Sequence, residues 1–405
     1  MSGMAQTRSW VPGAVWGGLA CSTALVGGAF AVLSCVFARR VLTPSAPDAD
    51  VVVWAIEPVQ RARNEVTRVW IHGPDAGLPG KYSFIFDEGA GHARLGPVVD
   101  RVCDNGVDRV ARDVVALDRG ELRVGARGRI TGWWFTDPRE SGGSVERVRF
   151  PVDGGESWGW LVRPENPVPG RFAVHVHGRG ALPEETLRGL APVLRAGVTS
   201  LVIAYRNDPG APAGIRGRYG LGLAERYDVD AAIAWLLEQG AQRITLVGWS
   251  MGGVTSLLSA TRGPHREIVD GLVLDSPGLD WRLILRRQAR LAGLPEVAAR
   301  LGMSMMQHGV VRGAVPRKRG TDLEAMSPEA FADRLDVPVL IHASPGDSFV
   351  PWNGSLRLAQ LRPDLVRVRK VVGEHVRLWN VDPLGWESET EEFVRSLAAP
   401  NVAAR

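Results

Sequence analysis

Cysteine is nearly missing from this chain: Cys21, Cys35 and Cys103 are all there are in 405 residues. Two of them fall in an apolar N-terminal stretch, so neither a disulfide framework nor a zinc site can be assembled from thiols. Excess charge is scarce too. A net charge of +4, spread along the chain, does not imply a nucleic-acid partner. A mean hydropathy of −0.03 excludes a polytopic membrane protein. With 45% hydrophobic and 23% charged residues, what remains is the composition of an ordinary globular protein with room for a sizeable core.

One long apolar run does exist. Ser9 to Ala38 contains no charged residue, enough to cross a hydrocarbon layer of about 30 Å as a helix. It predicts a single membrane anchor over 1–42 and a single-pass protein of the cell membrane. Its side is unresolved, because Arg8 stands before the run and Arg39 and Arg40 after it. A cleavable signal ending at Ala29-Phe30-Ala31 and a lipoprotein signal at Cys21 are the weaker readings. The apolar run continues past the first, and Gly18 stands where a lipobox usually has Leu.

Residues 43–137 predict a β-rich extension, from short β-prone runs such as Val51–Ile56, Val66–Ile71, Tyr82–Phe86 and Val110–Leu117 parted by glycine turns. His72 and His92 read there as turn or surface residues. Over 138–405 the pattern changes to strands alternating with helical segments, which predicts a mostly parallel sheet covered on both faces. An arginine-rich helical insertion at about 280–326, with Arg282, Arg286, Arg287, Arg290 and Arg317-Lys318-Arg319, predicts a small helical lid.

The chemistry starts at Gly248-Trp249-Ser250-Met251-Gly252-Gly253, directly after the apolar run Ile244–Val247. In a G-x-S-x-G elbow a serine is forced onto a sharp strand-to-helix turn, with glycines where neighbouring backbone leaves no room. A serine hydroxyl needs a base, an acid to orient the base, and donors for the oxyanion. Asp347, in Gly346-Asp347, follows the strand ending at Ile341; His375, in Gly373-Glu374-His375, follows the last strand. Asp275 is the competing acid, and Glu225 with Asp228 reads as a helix start with surface charge. Ligands of open α/β sheets gather beyond strand ends, where these residues fall.

With His177-Gly178-Arg179-Gly180 also placed after a strand, the chain resembles the α/β-hydrolase superfamily of serine hydrolases over roughly Val145–Leu397. The bacterial, membrane-anchored group similar to serine aminopeptidases and monoacylglycerol lipases is the nearest likeness. The resemblance implies Ser250 as nucleophile, His375 as base and acid, and Asp347 as orienting acid. The N–H groups of Met251 and Arg179 would form the oxyanion hole, although Arg179 stands where many esterases have a third glycine. Gly178, Trp249 and Tyr205 are candidate substrate-binding residues. The expected activity is cleavage of carboxylic esters, with a small-molecule or lipid-like substrate and no metal or cofactor. A peptidase or acyltransferase on the same triad, or a non-catalytic membrane-tethered binding protein, are the alternatives.

Overall fold

Alternating apolar residues in the first third of the chain close into a barrel. The computed structural model describes residues 32–44, 48–60, 65–307 and 322–397. Strands β1 (Val51–Gln60), β2 (Glu65–His72), β3 (Tyr82–Phe86), β4 (Gly91–Asp104), β5 (Val107–Arg119) and β6 (Arg127–Thr131) pair antiparallel in the order β1-β2-β5-β4-β3-β6. β6 bonds to both β3 and β1, so the sheet keeps no free edge. Val51, Val53, Val69, Ile71, Phe84 and Leu95 fill the inside. His92 is buried in this wall, 2.7 Å from a carboxylate oxygen of Asp118, and is not the turn or surface residue expected.

Strands β4 and β6 break the alternation that would reveal them. β4 carries Gly91, Gly96 and Pro97, its register against β5 shifts repeatedly, and its second half is largely exposed. β6 has five residues, two of them arginines.

Before the barrel, residues 32–42 form a helix (α1). Ser34, Phe37, Ala38 and Leu42 are buried on it, and the Ser34 hydroxyl donates to the Ala298 carbonyl at 2.9 Å. The end of the expected anchor 1–42 falls on this helix, where Phe37, Ala38 and Leu42 belong to the main hydrophobic core. The rest of that expected span, and Arg317-Lys318-Arg319, lie outside the described residues. Among the described residues no helix is long and apolar enough to cross a membrane.

The remainder is an eight-stranded sheet in the order β14-β13-β12-β11-β9-β10-β8-β7. Its strands are β7 (Ser144–Val152), β8 (Gly155–Arg163), β9 (Arg171–Val176), β10 (Thr199–Ile203), β11 (Arg243–Trp249), β12 (Val269–Asp275), β13 (Val339–Ala343) and β14 (Val366–Lys370). The sheet is mixed. β9 to β14 run parallel, while β8 is antiparallel to both β7 and β10.

Helices α2 (Leu190–Arg195), α3 (Arg226–Glu238), α4 (Met251–Arg262), α5 (Trp281–Leu291), α6 (Glu296–Gln307), α7 (Pro328–Ala332), α8 (Asn353–Leu361), α9 (Leu378–Val381) and α10 (Pro383–Ser396) follow between and after the strands. Period-two alternation sorts neighbours to opposite faces. Leu246, Leu272 and Ile341 join one apolar cluster with residues of α3, α4 and α8; Val247, Val273 and Leu340 join another with residues of α2 and α10. Both faces being buried explains why these strands read as continuous apolar runs. Helices α5 and α6 lie between β12 and β13.

Candidate active site

Ser250 sits on the turn from central strand β11 into α4, with φ 51° and ψ −114°. That left-handed backbone is unfavourable for a residue with a Cβ, by about 1–3 kcal/mol, and persists only because its surroundings fix it. The flanking glycines leave no alternative. A Cβ on Gly248 would lie 2.6 Å from the Gly252 carbonyl oxygen, and one on Gly252 would lie 2.1 Å from that of Val176. The turn is pinned by the Ser250 N–H donating to the Asp275 carbonyl at 2.9 Å.

Three side chains distant in sequence meet there. His375 Nε2 is 2.8 Å from Ser250 Oγ, and His375 Nδ1 is 2.7 Å from Asp347 Oδ2. The second oxygen of Asp347 accepts the N–H groups of Phe349 (2.8 Å) and Val350 (2.7 Å), which fixes the carboxylate. Phe349 stacks on the imidazole with centroids 5.1 Å apart. Asp275 is elsewhere: its carboxylate accepts from Trp386 Nε1 at 2.9 Å and from the Ser276 hydroxyl at 2.8 Å. Its burial pushes its pKa up to about 6.

Met251 opens α4, so its N–H has no acceptor within the helix. On the other side, the turn after β9 presents Arg179. Its neighbours are all engaged: the Gly178 N–H donates to Glu185 at 2.7 Å, that of Gly180 to the Tyr219 hydroxyl at 3.2 Å, and that of Ala181 to the Gly178 carbonyl at 3.3 Å. The Arg179 N–H is left over among the described residues of this turn. The close approach is real, since a Cβ on Gly178 would lie 3.2 Å from Ser250 Cβ.

A cavity of about 190 Å³ adjoins Ser250, walled by Gly178, Trp281, Ile284, Phe349 and Val350. Of the candidate substrate-binding residues, Gly178 lines this cavity. Trp249 and Tyr205 do not. Trp249 is fully buried, stacked between His175 and Trp386. Tyr205 is fully buried as well, its ring against His177 and its hydroxyl donating to the carbonyls of His177 (3.2 Å) and Gly178 (2.9 Å). Trp249 is core, and Tyr205 braces the turn that carries Arg179.

Several supporting groups left no mark in the sequence. Glu185 and Tyr219 fix the same turn from separate segments, and Glu225 and Asp228 prove buried where surface charge was expected. Glu225 accepts the N–H groups of Gly220 and Gly222 at 2.8 Å, and Asp228 grips the Arg206 guanidinium at 2.7 and 2.9 Å. Among the described residues no cluster of His, Cys, Asp and Glu is suited to a metal.

Residues 57–131 match a domain of unknown function, and residues 173–403 match the alpha/beta hydrolase family. No curated protein matches the chain. Similar solved structures include an esterase of Pyrococcus furiosus, 17% identical over 65% of this chain and 95% of that one, with a TM-score of 0.49. Est1E of Butyrivibrio proteoclasticus is 17% identical over 63% and 99%, with a TM-score of 0.45. An esterase of the archaeon Pyrobaculum calidifontis is 18% identical over 65% and 90%, with a TM-score of 0.44. Likenesses this distant add nothing to the family match, which spans more than half of the 405 residues. The chain belongs to the alpha/beta hydrolase family.

Proposed function

We propose that this protein is a serine hydrolase that cleaves carboxylic esters through an acyl-enzyme. One observation carries the reading: His375 lies within 2.8 Å of the Ser250 hydroxyl and 2.7 Å of the Asp347 carboxylate. A carboxylate facing Nδ1 keeps the proton there, so Nε2 is free to accept the hydroxyl proton. Ser250 Oγ attacks the ester carbonyl as its proton passes to Nε2. The tetrahedral oxyanion is held by the N–H groups of Met251 and Arg179, where the start of α4 adds its positive end. The imidazolium then gives its proton to the leaving alcohol, and water repeats the sequence on the acyl-enzyme.

Labelling by a fluorophosphonate probe tests this. The full chain reacts and Ser250→Ala does not, and the wild type turns over p-nitrophenyl esters faster than aminoacyl amides. Labelling that survives the substitution overturns the assignment.

A further inference from the structure

A second, larger cavity of about 540 Å³ opens between the barrel and the hydrolase body. It shares Arg179, Glu185, Phe349, His375 and Val376 with the cavity at Ser250, and Arg129, Thr131 and Trp133 of the barrel side form its opposite wall. The two spaces differ in chemistry. The inner one is mostly apolar through Trp281, Ile284, Phe349 and Val350; the outer one is lined by the guanidinium groups of Arg129, Arg179, Arg188 and Arg377.

Among the described residues Arg129 has no side-chain hydrogen bond or ion pair, and lies 5.6 Å from the Trp133 ring centroid. Among the described residues the Arg179 guanidinium makes a single hydrogen bond, 3.3 Å to the Val41 carbonyl, and no ion pair. Carboxylates in the same cavity are mostly engaged elsewhere. Asp75 pairs with Arg377 at 2.7 Å, Glu185 accepts the Gly178 N–H at 2.7 Å, and Glu374 accepts the Ser348 N–H at 3.1 Å. Asp48 and Asp50 are exposed. Burial lowers the pKa of both Arg129 and Arg179. Cations taken out of water without an anion are unfavourable, and a guanidinium fork matches a carboxylate or phosphate better than any other partner.

Position assigns the ligand's place in the reaction. The leaving oxygen takes its proton from His375, so the alcohol lies on the imidazole side of the site. The inner cavity has both Ser250 and His375 among its walls, and the outer one, reached past the imidazole, has His375 without Ser250. We propose that the outer cavity is the leaving-group subsite, taking an alcohol that bears a carboxylate or a phosphate, held by Arg129 and Arg179. This rests on the ester-hydrolase reading above.

The test compares kcat/KM for paired esters differing in one charge: 4-carboxyphenyl against 4-carbamoylphenyl butyrate, and lysophosphatidate against monoacylglycerol. The wild type prefers the anion in at least one pair, the first marking a soluble anionic ester and the second a lipid headgroup. Arg129→Gln lowers that preference about tenfold or more, and Arg129→Lys keeps most of it. A charge preference that is absent in both pairs, or unaltered in Arg129→Gln, overturns the subsite while leaving ester hydrolysis standing. Calorimetric titration of 4-hydroxybenzoate and phenyl phosphate into Ser250→Ala reads the same subsite without turnover. At least one binds, and binding is weakened in the Ser250→Ala, Arg129→Gln double variant; equal or absent binding overturns the subsite. Failure of the wild type to hydrolyse any ester or to label would instead overturn the hydrolase reading.

Discussion

At the scale of single residues, Asp347 carries a prediction that its two engaged oxygens make specific. In Asp347→Asn the amide oxygen stays with the N–H groups of Phe349 and Val350, which need an acceptor. The amide NH2 then faces His375 Nδ1 and donates to it, so the ring proton moves to Nε2 and points at Ser250 Oγ. The base becomes a donor. We expect kcat on p-nitrophenyl butyrate to fall about 10³–10⁴-fold, with the fold retained by circular dichroism; a loss below about tenfold shows that Asp347 does not orient the base. The three converging residues were legible because each follows a strand, in the order Ser, Asp, His. Trp249 and Tyr205 were misread because a strand-end position does not say where a side chain points. A signal existed for Trp249. Two residues after Val247 it shares that residue's face, and both enter the same buried cluster.

At the scale of one element, the turn after β9 depends on charge. His177 is fully buried, with Nδ1 3.0 Å from the Gly178 carbonyl and Nε2 2.8 Å from Asp208. Both neighbours are acceptors, so both are satisfied only when both ring nitrogens carry protons. Burial opposes that charge, yet Asp208, Glu185 and the Gly178 carbonyl outweigh it and raise the pKa above 6.5. A raised folded-state pKa gives stability that is complete below pH 6.5 and is lost as pH climbs through the raised value. The gap in melting temperature between wild type and His177→Gln should therefore be widest at about pH 6 and shrink toward pH 9. A gap constant over that window means a neutral imidazole. The sequence places His177 after a strand, but Asp208 and Tyr205, contributed by the next strand's end, were not legible as its partners. Strand β4 was missed for a related reason. Its bulges and exposed half make sense only beside β5, and pairing across a shifting register leaves no period in one strand's residues.

At the scale of the whole molecule, the barrel forms one wall of the space beside His375, and a buried amide helps to tie it there. Asn380 is buried; its Nδ2 donates to the carbonyls of Lys81 at 2.9 Å and Gly132 at 3.0 Å, while its Oδ1 accepts from Arg188 at 2.6 Å. Its own carbonyl accepts the Lys81 N–H at 3.0 Å. Around it, the Lys81 ammonium stands 4.4 Å and 4.8 Å from the ring centroids of Trp379 and Trp134, and Arg377 pairs with Asp75. None of this was legible in the sequence, because bonds between residues 299 and 248 positions apart impose no local pattern. The change of pattern near Pro138 marks only where one kind of sheet gives way to another. Asn380→Ala leaves two carbonyls and one guanidinium N–H without that partner, a loss of about 2 kcal/mol or more. Because Arg188 also donates to the Val376 carbonyl at 2.9 Å, next to His375, the loosened interface reaches the site. We expect Asn380→Ala to melt at a lower temperature, and native-state trypsin to cut it faster between the barrel and β7. Equal melting and equal resistance to trypsin would place the attachment of the barrel elsewhere, on the Lys81 and Arg377 contacts.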